Sequence, residues 1–182
     1  MPAGKVPAIL LLLLCLFPAV LADQLAVSIG DATAAPGSTV TVPVSVSGAQ
    51  NLGSLDIAIA YDPGVLTVVS VDEGSLGNGL FVSNTDRPGV ATVSIADPSG
   101  INGNGPVANL KFTVNGAAGT SSKLTITNML AYDLKTHQAI SADSSDGSVT
   151  VKKSGLGSPG FGLAAAAGAL ALLGLLRTFG KS

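Results

Sequence analysis

His137 is the only histidine in the 182-residue chain and Cys15 the only cysteine. Nucleophilic catalysis needs a nucleophile, a base and a group to orient the base. His137 stands in "LKTHQA", a loop-like stretch with no nucleophile motif around it, and reads as a surface histidine. Asp72-Glu73 is an adjacent pair in a turn, which suits solvation rather than acid–base work. Asp143 and Asp146, beside Ser144 and Ser145, offer oxygens of the kind calcium takes, but their spacing is not that of an EF-hand loop. Neither catalysis nor a protein-held metal or cofactor is expected. Sugar platforms stack pyranose rings on exposed aromatics, and the chain has no Trp. Of the four rings between residues 23 and 151, Tyr61 and Phe112 fall on inward phases, leaving Phe81 and Tyr132 as candidate exposed rings. Two rings are few for a glycan strip, so a carbohydrate-binding module is a second reading.

The elements around these residues alternate with period two. "STVTVPVSVS" sets Val40, Val42, Val44 and Val46 against Thr, Pro and Ser. "SLDIAIAY" sets Leu55, Ile57, Ile59 and Tyr61 against Ser54, Asp56, Ala58 and Ala60. "VATVSIA", "NLKFTV", "KLTIT" and "SVTV" repeat the scheme, the mark of half-buried strands. Turn chemistry separates them, as in Asp62-Pro63-Gly64, Arg87-Pro88-Gly89 and Asn102-Gly103-Asn104-Gly105-Pro106. No segment from 23 to 151 shows helical periodicity. The expectation is an all-β, two-layer antiparallel sandwich. Its outward positions Asp56, Ala58, Ala60, Thr92, Ser94, Ala96, Lys111 and Thr113 are mostly short, and would form a flat plateau with little rotamer entropy to lose on docking. Ordinary solvent-facing strands carry the same residue types.

Residues 23–151 hold eleven acidic side chains against four basic ones, a net charge of −7 that the whole-chain value of −2 hides. Such a domain is a poor partner for nucleic acid or anionic lipid and a better one for a cationic or calcium-bearing partner. The basic residues gather at the chain ends. Lys5 precedes an apolar run from Val6 to Phe17, and Val20-Leu21-Ala22 places small residues at the −3 and −1 positions of a cleavage site. Residues 1–22 therefore read as a secretory signal peptide cut after Ala22, rather than a retained anchor. Cys15 lies within it, so the mature chain has no thiol and rests on its core alone. At the other end an uncharged Leu/Ala/Gly run from Phe161 to Leu176 is followed by Arg177 and Lys181. As a helix it would reach roughly 24 Å, a little under a bilayer core, with the basic end in the cytoplasm.

Pro159-Gly160-Phe161, then the apolar run, then the basic end resemble the PGF-CTERM sorting signal of archaeal surface proteins. The resemblance implies that an archaeosortase cuts residues 159–182 and that a lipid replaces them. An ordinary single-pass anchor is the alternative. Either way, residues 152–158 are a short linker to the outer face of the cell membrane.

Between the ends, "VSIGDATAAPGSTVTVPVSV", "LDIAIAYDPGVLTVVSV", "INGNGPVANLKFTV" and "DGSVTV" follow one another in an order that resembles a cohesin domain. The resemblance implies a nine-stranded jelly-roll β-sandwich over residues 23–151 that binds dockerins, small domains built on two calcium loops. Calcium then belongs to the partner. In cohesins the strand before the Tyr-Asp-Pro turn often contributes an Asn-x-Asp pair to the contact. Here Asp56 matches the Asp and Ser54 stands where the Asn would be. The face implied for the partner is Ser54, Asp56, Ala58, Thr92 and Ser94. A secreted, membrane-tethered adaptor, linked to polysaccharide breakdown through its partners, is the leading expectation. A structural surface-layer or adhesion domain fits the same features.

Overall fold

A computed structural model describes residues 24–153. The signal peptide ending at Ala22 and the tail with Pro159, Gly160 and Phe161 lie outside the described residues. Nine strands follow in order: β1 Leu25–Ile29, β2 Ala32–Ala34, β3 Thr39–Ala60, β4 Leu66–Glu73, β5 Leu80–Asn84, β6 Val90–Val114, β7 Ser121–Asp133, β8 Ala142–Ser145 and β9 Gly147–Val151. Among the described residues there is no helix, in keeping with the period-two pattern.

Two of the strands are far longer than the sequence motifs imply. "STVTVPVSVS" and "SLDIAIAY" form one 22-residue strand, and "VATVSIA" continues through the Gly/Asn stretch into "NLKFTV" as one of 25 residues. β3 and β6 pair antiparallel along nearly their whole length, and their register slips repeatedly between Val44 and Ser54. The slips mark a corner. Gly48, Asn51, Gly100, Gly103 and Gly105 all have positive φ there, a conformation open mainly to Gly and Asn. Two asparagine side chains bridge the gap in the ladder: Gly48 N–H donates to Asn104 Oδ1 at 2.7 Å and Asn51 N–H to Asn102 Oδ1 at 2.9 Å. The expected turn over 102–106 is thus one side of a bent ribbon, and each long strand serves both layers.

Beyond the corner, β5, the first part of β6, the second part of β3, and β7 form one layer. The other holds β4, the second part of β6, the first part of β3, β1 and β8. Pairing is antiparallel except at β1–β8 and β2–β9, where the two ends of the domain run side by side in parallel. The inward phases fill the space between layers as expected, with Val42, Val44, Leu55, Ile59, Leu110 and Phe112 wholly buried, and Leu52 at the corner joins them. The Tyr61 ring, in the first layer, meets that of Phe112, in the second, edge to face at 5.4 Å between centroids.

Candidate functional site

Strand alternation turns Ser54, Asp56 and Ala58 away from the core while Leu55, Ile57 and Ile59 enter it. Register then decides their neighbours. On one side Ser54, Asp56 and Ala58 pair with Ala96, Ser94 and Thr92 of β6; on the other they pair with Tyr132, Leu130 and Asn128 of β7. β5 adds an outer column, with Leu80, Val82 and Asn84 opposite Ala96, Ser94 and Thr92. The five site residues expected from sequence therefore meet on one surface, in three parallel rows across four strands. At ordinary strand spacings the platform measures roughly 14 Å each way, about the width of one helix with its side chains.

The middle of the platform is small and polar, and its flanks are not. Leu80, Val82, Leu130 and Tyr132 are 65%, 51%, 46% and 39% exposed, and they are four of the five large hydrophobic side chains exposed among the described residues. Four such side chains bordering one short polar strip differ from scattered surface apolars and make this face the candidate site. Sequence reading singled out Tyr132 but missed the other three. The alternation of "LFVSN" held the signal for Leu80 and Val82, but nothing in it tells a core face from a docking face. The extra residue Thr127, at a register slip between β7 and β3, sets the phase that points Leu130 outward.

Three expectations are corrected. Lys111 and Thr113 point outward from the other layer, where they pair with Thr41 and Thr39, so they are not part of this plateau. Phe81, a candidate exposed ring, is half-buried against the core because Leu80 and Val82 take the outward phase of β5. Asp72 and Glu73 end strand β4 rather than sitting in a turn, and Asp72 Oδ2 accepts a hydrogen bond from Ser70 Oγ at 3.1 Å.

Asp56 is half-buried, and its carboxylate makes no hydrogen bond to other described residues, which leaves it free to accept one from a partner. The other acids nearby have structural engagements. Asp146 Oδ1 accepts the Ile126 N–H at 3.0 Å. Asp133 Oδ1 accepts the N–H groups of Lys135 and Thr136 and the Thr136 hydroxyl at 2.7–2.9 Å. The Thr136 N–H and then its hydroxyl hold the Asp133 carboxyl below its ordinary 3.8 against a smaller opposing effect of desolvation, and Lys135 adds a lesser lowering still. Exposed His137 closes this turn at φ 55°, as expected of a loop histidine.

Two hollows flank Gly53 where the platform ends. One, about 550 Å3, lies between Leu80, Ala96, Asp97, Pro98 and Leu134. The other, about 170 Å3, lies between Ser54, Tyr132, Asp133 and His137. Among the described residues no three His, Cys, Asp or Glu side chains gather in a way that would hold a metal.

The family profile of the cohesin domain matches residues 25–151. The chain belongs to the cohesin family. A 61-residue stretch is 36% identical to cellulosomal-scaffolding protein A of Acetivibrio thermocellus; it makes up 32% of this chain and spans only 3% of that scaffold. Among solved structures, this cohesin is similar to a non-cellulosomal cohesin from the hyperthermophilic archaeon Archaeoglobus fulgidus. The identity is 31% and the TM-score 0.65, over 70% of this chain and 91% of the other. It is likewise similar to the sixth cohesin of scaffoldin B from Acetivibrio cellulolyticus, solved in complex with a Cel5 dockerin variant. That match has 27% identity and a TM-score of 0.67 over 71% and 99%. The bent long strands and sandwiched core described above are thus those of the cohesin jelly roll.

Proposed function

We propose that this cohesin binds a dockerin-bearing protein on the outer face of β5, β6, β3 and β7, and that its role is recognition rather than catalysis. One observation carries the reading: the polar strip Ser54–Asp56–Ser94 lies in register between four exposed apolar side chains. Desolvated apolar contact supplies the affinity of such an interface, and a few polar anchors fix its register. The dockerin complex of the Acetivibrio cellulolyticus relative supports the choice of partner. Asp56 is the principal anchor, with Ser54 a shorter one and Ala58, Thr92 and Ser94 the flat ground beside them. Calcium resides in the dockerin, not in this chain. Tyr132, the one exposed ring among the described residues, gives little platform for sugar stacking.

The ends of the chain supply the place of action. Cleavage after Ala22 and sorting at Pro159-Gly160-Phe161 would leave the domain tethered to the outer face of the membrane, where dockerin-bearing proteins, including glycan-active enzymes, are displayed. Mass spectrometry of the protein recovered from its native membrane tests this. A chain starting at Asp23 and ending in a lipid near residue 159 supports processing, whereas an intact tail through Ser182 leaves a plain membrane anchor.

For the docking face the test is calorimetric titration of the full chain, in mild detergent, with dockerins from the same genome. Binding is expected with calcium and not with chelator, and Asp56→Ala should weaken it at least about ten-fold, as for a desolvated charged hydrogen bond. No binding to any of these dockerins would overturn the reading.

A further inference from the structure

Asparagine is chemically labile where glycine follows it, because glycine has no Cβ to hinder attack of its backbone nitrogen on the asparagine Cγ. The chain has four such pairs, at Asn78, Asn102, Asn104 and Asn115. All four asparagines are exposed, so hydrogen bonding must separate them. Asn102 is held at both ends of its amide: Oδ1 accepts the Asn51 N–H at 2.9 Å and Nδ2 donates to Gly100 O at 2.9 Å. Asn104 Oδ1 accepts the Gly48 N–H at 2.7 Å. Asn115 Nδ2 donates to Thr67 Oγ1 at 2.7 Å, and the following nitrogen, Gly116 N, donates its hydrogen to Val65 O at 3.0 Å.

Asn78 differs in both respects. Neither its side-chain amide nor the Gly79 N–H has a hydrogen-bond partner among the described residues. Its backbone N–H donates to Asp97 Oδ2 at 3.2 Å, and the next tie is the pairing of Leu80 with Ala96. Gly79 between them has no substitute, since a Cβ there would run into Ala96 O. The close approach of β6 therefore demands glycine directly after an asparagine whose amide nothing holds.

We propose that Asn78 is a site of spontaneous deamidation and that its conversion weakens docking on the adjoining platform; the second clause rests on the docking reading above. Gly79 N gives up its proton to hydroxide and bonds to Asn78 Cγ, the bond from Cγ to Nδ2 breaks, and ammonia leaves with a proton from water. Water then opens the resulting succinimide at one carbonyl to give aspartate, or at the other to give isoaspartate. Either product sets a new carboxylate in the loop tied to Asp97, where like charges repel. Isoaspartate also lengthens the backbone just before Leu80, which is 65% exposed on the platform, and so shifts a docking side chain.

The test ages the full chain in mild detergent at neutral and mildly alkaline pH in heavy-oxygen water, with peptide mass mapping that separates aspartate from isoaspartate. Label should enter at residue 78 before residues 102, 104 and 115, faster at the higher pH, with both isomers present. No conversion at residue 78, or conversion no faster than at the other three, overturns the site. Asn78→Gln, whose longer side chain closes the ring far more slowly, should stay unlabelled there. Fresh and aged chains are then titrated with a binding dockerin. Aged wild type should bind at least about five-fold more weakly than fresh, while aged Asn78→Gln keeps its affinity. Asn78→Asp, which adds the charge without the longer backbone, should fall between them. Conversion at residue 78 with unchanged affinity overturns the effect on docking. If no dockerin binds, the docking reading fails, and the mass readout alone supports or overturns the reactive site.

Discussion

At the scale of single residues, exposure and engagement separate anchors from struts. Asp56 has no described hydrogen bond to lose, so Asp56→Ala should leave the urea midpoint nearly unchanged while weakening docking. A large drop in stability would mean that the carboxylate holds the fold. Leu80→Ala or Leu130→Ala should cost binding through lost apolar contact, about 1–2 kcal/mol each for side chains of this size, with little effect on unfolding. Asp133 behaves differently. Its folded carboxyl titrates below the ordinary 3.8 because Thr136 and Lys135 donate to its charged form. The stability it contributes is therefore present above pH 3.8 and is lost as pH falls through the lowered folded value. Thermal unfolding of wild type and Asp133→Asn should differ most at neutral pH, and the gap should close below pH 3.8.

At the scale of elements, the corner of β3 and β6 is what makes one ribbon into two layers. Its ladder gap is spanned by Asn102 and Asn104, which accept the N–H groups of Asn51 and Gly48. Replacing both asparagines by alanine should destabilise the domain by about 1 kcal/mol per bond, since the freed donors are exposed and can turn to water. Urea unfolding measures it. Gly53 is a second element-level requirement. A Cβ there would come within 2.8 Å of Leu134 Cα, on the segment whose N–H donates to Asn51 O at 2.7 Å. Gly53→Ala should push the 133–137 turn away from β3 and alter both hollows, to be seen as shifted Leu134 and His137 NMR signals. The alternation of these strands was legible in the sequence. Their fusion into two long strands was not, because Gly-Asn runs mark a hairpin turn and a bent ribbon with the same residues.

At the scale of the whole molecule, a chain without a thiol in residues 23–151 depends on one apolar interior. Phe112 is fully buried and its ring joins the layers through Tyr61. Phe112→Ala should cost about 3–5 kcal/mol, a large share of the stability of a domain this size. It should also weaken docking only in proportion to unfolding, since Phe112 faces away from the platform. The parallel pairs β1–β8 and β2–β9 bring the domain's first two strands against its last two, and Lys152 N–H donates to Ala34 O at 2.9 Å. Anything attached beyond residue 153 therefore starts beside the end of β2.

The sequence alone determined the alternation of the main strand segments, the inward set from Val42 to Phe112 and the phase of Ser54, Asp56, Ala58, Thr92 and Ser94. It could do so because side-chain direction in a strand follows local alternation. It did not determine which outward residues share a surface. Lys111 and Thr113 alternate as regularly as Thr92 and Ser94, yet the corner carries them to the opposite layer. Leu80, Val82 and Leu130 come to border Asp56 only through pairings between strands far apart in the chain, and Asp97 lines a hollow only because Leu134 folds over Gly53. Such contacts depend on register and bending, which are settled when distant strands compete for one another's backbone groups and for the core. Only the tertiary structure decided them.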